Sequence, residues 1–160
     1  MPMRKFQLDN AYDNIFKDDD IFAITLPLVI IYKKMFNLNE EVLRQKYNLL
    51  HSELDVLATL FFDGEAMSPT ELYESTIFSS GGMTKVLKKL ENKEYISRIH
   101  SKNDKRSKLV KIEPKGKEIV QKCLVDVKQN DNKIFSILTK DEKKILKQLF
   151  KKVVYNLIER

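Results

Sequence analysis

Small polar and cationic side chains with the chemistry to bind nucleic acid occur together in residues 79–111. The segment that begins at residue 79 has helical spacing, and its start and non-core face carry Ser79, Ser80, Gly81, Gly82, Thr84, Lys85 and Lys88. Thr84 and Lys85 can hydrogen-bond base edges in a major groove, and Lys88 can bind a phosphate. Backbone N–H groups at a glycine-rich helix start can also approach phosphate closely. The segment favours a DNA-reading helix, with a solvated surface helix as the open alternative.

A cationic hairpin is predicted next in the chain. Residues 95–99 and 109–112 are short, rich in β-branched side chains and partly alternating, which is typical of paired strands. Five basic residues accompany the single acid Asp104 in and beside the segment between them: Lys102, Lys105, Arg106, Lys108 and Lys111. A cation on a protruding hairpin can enter a minor groove, where the potential is most negative. The alternative is a charged loop that only keeps the protein in solution.

The net charge changes sign within this region. Residues 51–78 carry no basic and six acidic side chains, net −6, whereas residues 79–111 carry ten basic and three acidic side chains, net +7. The whole chain has a net charge of +6 and a pI of about 9.2. A protein that only needs solubility more often intersperses the two signs. The separation therefore favours a polyanionic partner for residues 79–111.

Helix start signals place further elements around this region. Ser68 and Glu71 form a capping box, and residues 139–142 repeat it before the last helix. Ser52 is the predicted cap of a helix with one apolar face, and Pro114 opens another helix. The order helix, turn, helix, hairpin predicts a mainly α-helical chain with a small β-hairpin wing. This fold is a winged helix-turn-helix, here with dimerisation helices at both ends of the chain.

The two ends of the chain are predicted to form a dimer interface. Residues 21–31 are apolar nearly all round a predicted helix that runs to about Tyr47 and that Pro27 should kink or break. A broad apolar stripe covers residues 145–157. Because one subunit of this size rarely hides such helices alone, a partner subunit is expected. Residues 1–48 are expected to form an N-terminal arm and dimerisation helix. Residues 49–113 are expected to form the winged helix-turn-helix DNA-binding domain, and residues 114–160 the C-terminal dimerisation helices.

Catalytic and metal-binding patterns are missing from the sequence. His51 and His100 are far apart, and neither shares ligand spacing with carboxylates or with Cys123. The sequence contains no phosphate-binding glycine loop, nucleophile elbow or triad. We therefore predict a protein that is not an enzyme and that holds no metal and no cofactor.

The single cysteine and the hydropathy pattern indicate a cytoplasmic protein. Cys123 excludes an intrachain disulfide, which fits a reducing compartment. Because Cys123 lies on the apolar side of a helix, a buried thiol is predicted rather than a redox sensor. The apolar run at residues 21–31 falls short of the ~20 residues that a membrane helix needs, and the N-terminus has no apolar signal core. No membrane partner is expected.

Residues 49–120 resemble the MarR family of bacterial transcription regulators. The resemblance runs through residues 52–57, 68–72, 83–91 and 96–98, and through the family's D-x-R wing motif, here Asp104-Lys105-Arg106. It implies that Arg106 lies at a minor groove and that Asp104 helps to hold the wing. It also implies that Ser80, Thr84 and Lys85 lie on the recognition helix. Ser68, Pro69 and Thr70, at the start of the preceding helix, would meet the phosphate backbone.

The resemblance further implies an assembly and a ligand. The family is homodimeric, so a pseudo-palindromic operator of double-stranded DNA is expected. The protein is expected to be a repressor at the bacterial nucleoid, and a small molecule is expected to release it from the operator. The pocket for a small aromatic effector would be lined by Phe22, Tyr32, Tyr47, Phe61 and Phe62. For most of these residues the alternative is packing in the core. A dimeric adaptor that uses the same fold to bind an acidic protein is the other interpretation of the basic surface.

Three positions depart from the family pattern. Many members have glycine where Glu94 stands, and a left-handed backbone there would be strained with glutamate, so this turn is expected to differ locally. Many members have Leu-Thr before the helix that starts at Pro114, where this chain has Ile112-Glu113. Peroxide-sensing members use a cysteine near the N-terminus, where this chain has none.

Overall fold

The computed structural model describes residues 21–76, 82–100 and 108–158. The chain separates into two compact units, Met1–Leu38 and Asn39–Arg160. The elements in chain order are α1 (Phe22–Tyr47), α2 (His51–Asp63), β1 (Ala66–Met67), α3 (Pro69–Ser75), α4 (Met83–Asn92), β2 (Ile96–His100), β3 (Lys108–Ile112), α5 (Pro114–Ile134), a 3-10 turn (Phe135–Ile137) and α6 (Lys140–Ile158). The predicted fold class, mainly α-helical with a small β-hairpin wing, is confirmed.

The wing is an antiparallel hairpin extended by one short strand. Ile96 pairs with Ile112 at the base of the hairpin, and His100 pairs with Lys108 towards its tip. The sheet order is β1-β3-β2, so β1 covers the other edge of β3. The sequence pattern did not predict β1, because two residues are too few to show alternation. The tip itself, residues 101–107, lies outside the described residues.

The core of the unit Asn39–Arg160 forms around α2. Val56, Leu57 and Leu60 of this helix are fully buried. The other elements add side chains that are at most 2% exposed, namely Leu43, Leu72, Leu87, Leu90, Ile96, Val110, Ile112 and Val120. Burial of each such side chain stabilises the fold by about 1.5–3 kcal/mol. Helices α3, α4 and α5 and the wing are therefore fixed to one common core.

Two of the predicted capping boxes are confirmed. The Ser68 backbone N–H donates to Glu71 Oε2 at 2.8 Å, and the Glu71 N–H donates to Ser68 Oγ at 3.2 Å. Hydrogen bonding of the Glu71 carboxylate to the Ser68 backbone N–H, and then to the Ser68 side chain, holds the pKa of the Glu71 carboxyl below its usual range. Thr139 and Glu142 make the same pair of bonds at the start of α6. Both helices therefore begin where local sequence directs them to begin.

The predicted N-cap of α2 is wrong by two residues. Helix α2 begins at His51, and Leu50 rather than Ser52 stands at the N-cap. Glu53 Oε2 accepts the Leu50 N–H at 3.2 Å, while the His51 N–H donates to Glu40 Oε2 at 2.9 Å. Because two carboxylates satisfy the first N–H groups, a serine cap is unnecessary here.

Helix α1 passes through Pro27 without ending, so a break at that position does not occur. In its first half the helix presents a broad apolar surface. Ile21, Phe22 and Ile24 are each 62% exposed, and Val29 is 59% exposed. Soluble proteins rarely leave a contiguous apolar surface of this kind in water. The side chains that the sequence pattern assigned to a dimer interface are thus uncovered in a single subunit.

Cys123 is the predicted buried thiol, and it is 0% exposed. Burial, and to a smaller extent the nearby Asp126 carboxylate, raise the pKa of the Cys123 thiol to about 12. At pH 8 we expect Cys123 in the native protein to react with a thiol reagent about 100-fold or more slowly than in the urea-unfolded protein. Stopped-flow absorbance with an aromatic disulfide measures both rates, and similar rates would contradict the burial.

The pH dependence of stability follows from the same thiol. Because its pKa is higher in the folded than in the unfolded state, the unfolded chain releases its proton first as pH rises. The stability that the neutral thiol contributes is complete below about pH 9 and is lost as pH approaches about 12.

Candidate nucleic-acid interface

Helix α3 holds the predicted backbone-contacting residues at its N-terminus. Leu72 is fully buried and fixes the helix to the core. Ser68 and Pro69 are half-buried at the helix start, and Thr70 is exposed beside them. The Ser68 hydroxyl already accepts the N–H of Glu71. The first turn therefore presents small side chains on a rigid helix end.

Helix α4 presents the predicted base-reading face to solvent. Leu87 and Leu90 are buried, whereas Thr84, Lys85 and Lys88 are exposed. The spacing between the two sets follows the helical repeat, so burial of the leucines fixes the direction in which the polar residues point. The core thus orients the candidate recognition surface without contacting it.

The helix starts later than the sequence predicted. Its first residue is Met83, and Gly82 stands at the N-cap with φ +111°. This backbone conformation strains any residue with a side chain, so the start of α4 requires a glycine at this point. The glycine is therefore a cap and not part of the first turn. Ser79, Ser80 and Gly81 lie outside the described residues.

The turn after α4 is left-handed despite its glutamate, so the expected local difference is wrong. Glu94 has φ +60°. The Tyr95 N–H donates to the Leu90 carbonyl at 3.0 Å, as in a Schellman helix end. Lys115 pairs with the exposed Glu94 carboxylate at 3.0 Å. The turn required by the wing is kept, at a conformational cost of about 1–2 kcal/mol.

Polar contacts tie the wing to the recognition helix. Arg98 Nε on β2 donates to Glu91 Oε1 on α4 at 2.9 Å. At the base of the wing, the Ser97 hydroxyl donates to the Glu113 carboxylate, and the Glu113 N–H donates to the Tyr95 carbonyl at 2.9 Å. Sequence reasoning missed these contacts, because they depend on the strand register. They fix the direction of the hairpin relative to α4.

Of the five basic residues predicted in and beside the tip of the hairpin, Lys111 and Lys108 lie in the described part of the chain, and of these two Lys108 is the predicted DNA contact. It is exposed and is the first residue of β3, next to the tip. Lys102, Asp104, Lys105 and Arg106 lie outside the described residues. The described strands establish only the base from which the tip extends.

A buried carboxylate secures the C-terminal end of α4. Glu53 is 2% exposed. Its Oε1 lies 3.5 Å from Lys89 Nζ, and its Oε2 lies 3.2 Å from Lys93 Nζ. Lys93 also donates to the Asn48 carbonyl at 2.5 Å. The sequence placed Glu53 in the first turn of a helix but gave no sign of these partners, which lie about forty residues away.

The predicted aromatic residues do not yet define a ligand pocket. Phe22 and Tyr32 belong to the unit Met1–Leu38 and are largely exposed. In the other unit, Phe61 and Phe62 meet edge to face with ring centroids 5.1 Å apart. Tyr47 is already engaged, as described below. The aromatic effector site therefore stays a prediction.

Tyr47 joins the end of α1 to α5. Its hydroxyl donates to Asp126 Oδ2 at 2.5 Å, and Lys46 Nζ lies 2.6 Å from the same oxygen. Desolvation, followed by the bond to Asp126, raises the pKa of Tyr47. The bonds from Lys46 and then Tyr47 hold the pKa of the Asp126 carboxyl below its usual range. The C-terminal end of α1 is thus fixed to the helix that follows the wing.

Two features are absent from the described part of the chain. Across residues 21–76, 82–100 and 108–158, no group of three or more His, Cys, Asp or Glu side chains is placed to hold a metal ion. None of the helices in these ranges is both long and apolar enough to cross a membrane. The exposed polar face of α4 and the wing beside it are the principal candidate site.

The fold is that of a winged helix-turn-helix protein. Its two helices are α3 and α4, α4 has the exposed polar face, and the β2–β3 hairpin tied to α4 is the wing. A family model described as "Transcriptional regulator SarA/Rot" matches residues 39–123. The MarR protein of Salmonella typhimurium is 31% identical over 142 residues, which are 84% of this chain and 96% of that protein. The chain belongs to the MarR family of winged helix-turn-helix transcription regulators.

Solved structures agree with this assignment. A crystal structure of a MarR mutant from E. coli is 27% identical, with a TM-score of 0.73, and the match covers 85% of this chain and 99% of that one. The same mutant complexed with operator DNA is also 27% identical, with a TM-score of 0.67 over 84% of this chain and 98% of that one. The resemblance seen in the sequence is therefore confirmed for family and fold.

Proposed function

We propose that this DNA-binding transcription regulator is a homodimeric repressor. It binds a pseudo-palindromic operator in the bacterial cytoplasm, at the nucleoid, and a small molecule relieves the repression. The observation that carries the proposal is the exposed face of α4, where Thr84, Lys85 and Lys88 lie opposite the buried Leu87 and Leu90. The relatives are transcription regulators, and no catalytic activity is proposed for this chain.

The exposed face of α4 has the composition of a recognition helix. Lys85 donates to base edges, for which guanine O6 and N7 are the usual lysine acceptors, and Thr84 contacts a neighbouring base. Lys88, one turn further along, binds a phosphate. These three side chains are on one rigid helix, so their spacing is set before DNA arrives. That preorganisation lowers the entropy cost of binding.

Contacts outside α4 set the position of the protein on DNA. The small side chains at the start of α3, Ser68, Pro69 and Thr70, allow the backbone to approach a phosphate. The wing brings Arg106 to the minor groove, supported by Asp104, while Lys102, Lys105 and Lys108 neutralise nearby phosphates. The Glu91–Arg98 pair and the base of the wing support this direction for the hairpin.

The apolar surfaces of α1 and α6 support a dimer. In α6, Ile145, Leu149 and Val153 are all more than half exposed in the single subunit. A two-fold dimer would cover such surfaces and place two recognition helices about 34 Å apart, one turn of DNA. The operator complex of the 27%-identical E. coli protein supports an operator as the DNA partner.

Relief of repression requires a ligand that prefers one dimer geometry. A small molecule shifts the population only if it binds better to the geometry that cannot span both half-sites. A small aromatic effector near Phe22, Tyr32, Tyr47, Phe61 and Phe62 is one candidate, which follows the family resemblance.

Alanine variants of Lys85 and Arg106 test the DNA-reading role. Each is expected to weaken binding to promoter DNA from beside the protein's own gene about tenfold, since one good base or groove contact is worth about 1–3 kcal/mol. Fluorescence anisotropy at fixed salt measures the Kd. Lys122→Ala removes a similarly exposed lysine from α5, outside the proposed interface, and should change Kd less than about twofold.

Equal DNA binding by the two variants and the wild type would contradict the assignment of recognition helix and wing. If DNA is not bound at all but an acidic protein is, the adaptor interpretation of the basic surface gains support instead.

A further inference from the structure

An open depression of about 420 Å³ lies beside the C-terminal end of α4, within the unit Asn39–Arg160. It is formed where the end of α1 and the start of α2 meet α4. Its polar lining residues are Arg44, Asn48, Glu53, Lys89, Asn92 and Lys93. None of them is among the residues proposed to contact DNA or the aromatic effector. The depression therefore needs its own explanation.

The depression has an excess of positive charge. Three cationic side chains, Arg44, Lys89 and Lys93, stand against one carboxylate, Glu53, for a formal net charge of +2. Both oxygens of Glu53 are already occupied, since Oε2 accepts from the Leu50 N–H at 3.2 Å and faces Lys93, while Oε1 faces Lys89. The single acid is thus already paired through both oxygens and lies beneath the surface, at 2% exposure.

Two of the cations keep donors that face solvent. The Arg44 side chain is 67% exposed, and its described ion pair uses only Nε, which lies 3.5 Å from Glu40. Lys89 is 57% exposed and makes one described ion pair. A guanidinium has five N–H donors and an ammonium has three, so most of them stay available. Asn48 and Asn92 also line the depression.

The lining identifies the class of ligand. Six of the eight lining residues carry charged or amide side chains, and of the two leucines Leu49 is fully buried. A guanidinium fork matches a phosphate or carboxylate in bidentate geometry, and an ammonium adds a point charge. We propose that this depression binds a small polyanion that carries a phosphate or pyrophosphate group or at least two carboxylate groups.

Such a ligand would connect two functional elements. Arg44 belongs to the helix that leads from the proposed dimer interface, and Lys89 belongs to the helix that carries Lys85 and Lys88. The bound anion neutralises part of the positive charge on this side of α4 and so lowers the affinity for operator DNA. This regulatory part rests on the proposed function, whereas the binding itself does not.

Isothermal titration calorimetry with pyrophosphate, without DNA and at constant ionic strength, tests the site. The wild type should bind saturably, and Arg44→Ala and Lys89→Ala should each weaken Kd about tenfold through loss of a charge-assisted contact. Lys122→Ala is the matched control, because that lysine is 58% exposed and also pairs with a carboxylate. It should change Kd less than about twofold.

Two outcomes would overturn the site: no saturable binding below about 10 mM, or the same Kd in Arg44→Ala and Lys89→Ala as in the wild type. Arg44 is mostly exposed, and in Lys89→Ala the buried Glu53 keeps the Leu50 N–H and Lys93 as partners. Both variants are therefore expected to fold, and circular dichroism checks this. A parallel titration with citrate distinguishes a phosphate-selective site from one that accepts any polyanion of the proposed class.

The regulatory part has a separate measurement. Compared with chloride at the same ionic strength, saturating pyrophosphate should weaken wild-type binding to promoter DNA by a factor of about three or more. The effect should vanish in Arg44→Ala. Pyrophosphate binding with unchanged DNA affinity would overturn the regulation. A wild type that binds pyrophosphate but never binds DNA would instead overturn the proposed function.

Discussion

Replacing Gly116 with alanine is expected to lower the free energy of unfolding by about 3 kcal/mol, which is at the upper end for an overpacked site. A Cβ atom at this position would lie 2.2 Å from the Tyr95 carbonyl oxygen and 3.0 Å from Ile112 Cγ1. The carbonyl belongs to the backbone, so no side-chain rotation relieves the contact. Urea denaturation followed by circular dichroism measures the loss.

The control for this prediction is Gln121→Ala on the exposed side of the same helix, which should change stability by less than about 0.5 kcal/mol. The structural consequence extends to the wing. Tyr95 directly precedes β2, and its carbonyl accepts the Glu113 N–H, so any movement that relieves the clash shifts the base of the hairpin. Wild-type stability in Gly116→Ala would contradict the close approach of α5 to this turn.

A glutamate at Val153 is expected to split the dimer. Val153 is 59% exposed in a single subunit, so the substitution should hardly affect the folding of that subunit. In the proposed dimer the same side chain is buried, and an unpaired charge there costs several kcal/mol. The mass measured by light scattering should halve. The affinity for operator DNA should fall about 100-fold, because the two half-sites are then bound independently.

Gln148→Glu provides a matched control for the dimer. It adds the same charge to the same helix, but position 148 faces away from the apolar stripe formed by Ile145, Leu149 and Val153. It should remain dimeric. If Val153→Glu keeps the mass and DNA affinity of the wild type, α6 does not form the dimer interface.

Features that depend on neighbouring residues could be predicted from the sequence. The capping box of Ser68 and Glu71 and the helix start at Pro114 are where the sequence placed them, because their hydrogen bonds join residues three or four apart. The outward direction of Lys85 also followed from the sequence, because Leu87 and Leu90 fix which side of α4 is buried. Local chemistry therefore predicted both the fold class and the exposed face of α4.

Features that depend on distant partners could not be predicted in this way. Ser52 was predicted as the cap of α2, but the first N–H groups are satisfied by Glu53 and by Glu40, which only the folded chain brings near His51. The pairs of Glu53 with Lys89 and Lys93 also join residues that are distant in sequence. Glu94 was expected to alter its turn, but its backbone is left-handed and the bond from the Tyr95 N–H to the Leu90 carbonyl closes the turn. The polar depression beside α4 belongs to the same class, since three separate elements build it.

The most direct test of sequence-specific DNA binding compares two DNA duplexes of equal length at one salt concentration. One carries the promoter beside the protein's own gene, and the other carries the same bases in scrambled order. Specific regulators prefer their site by about 10³-fold or more near physiological salt, and we expect this protein to do the same. Equal Kd values for the two duplexes would contradict the account, because the α4 face would then bind only the phosphate backbone.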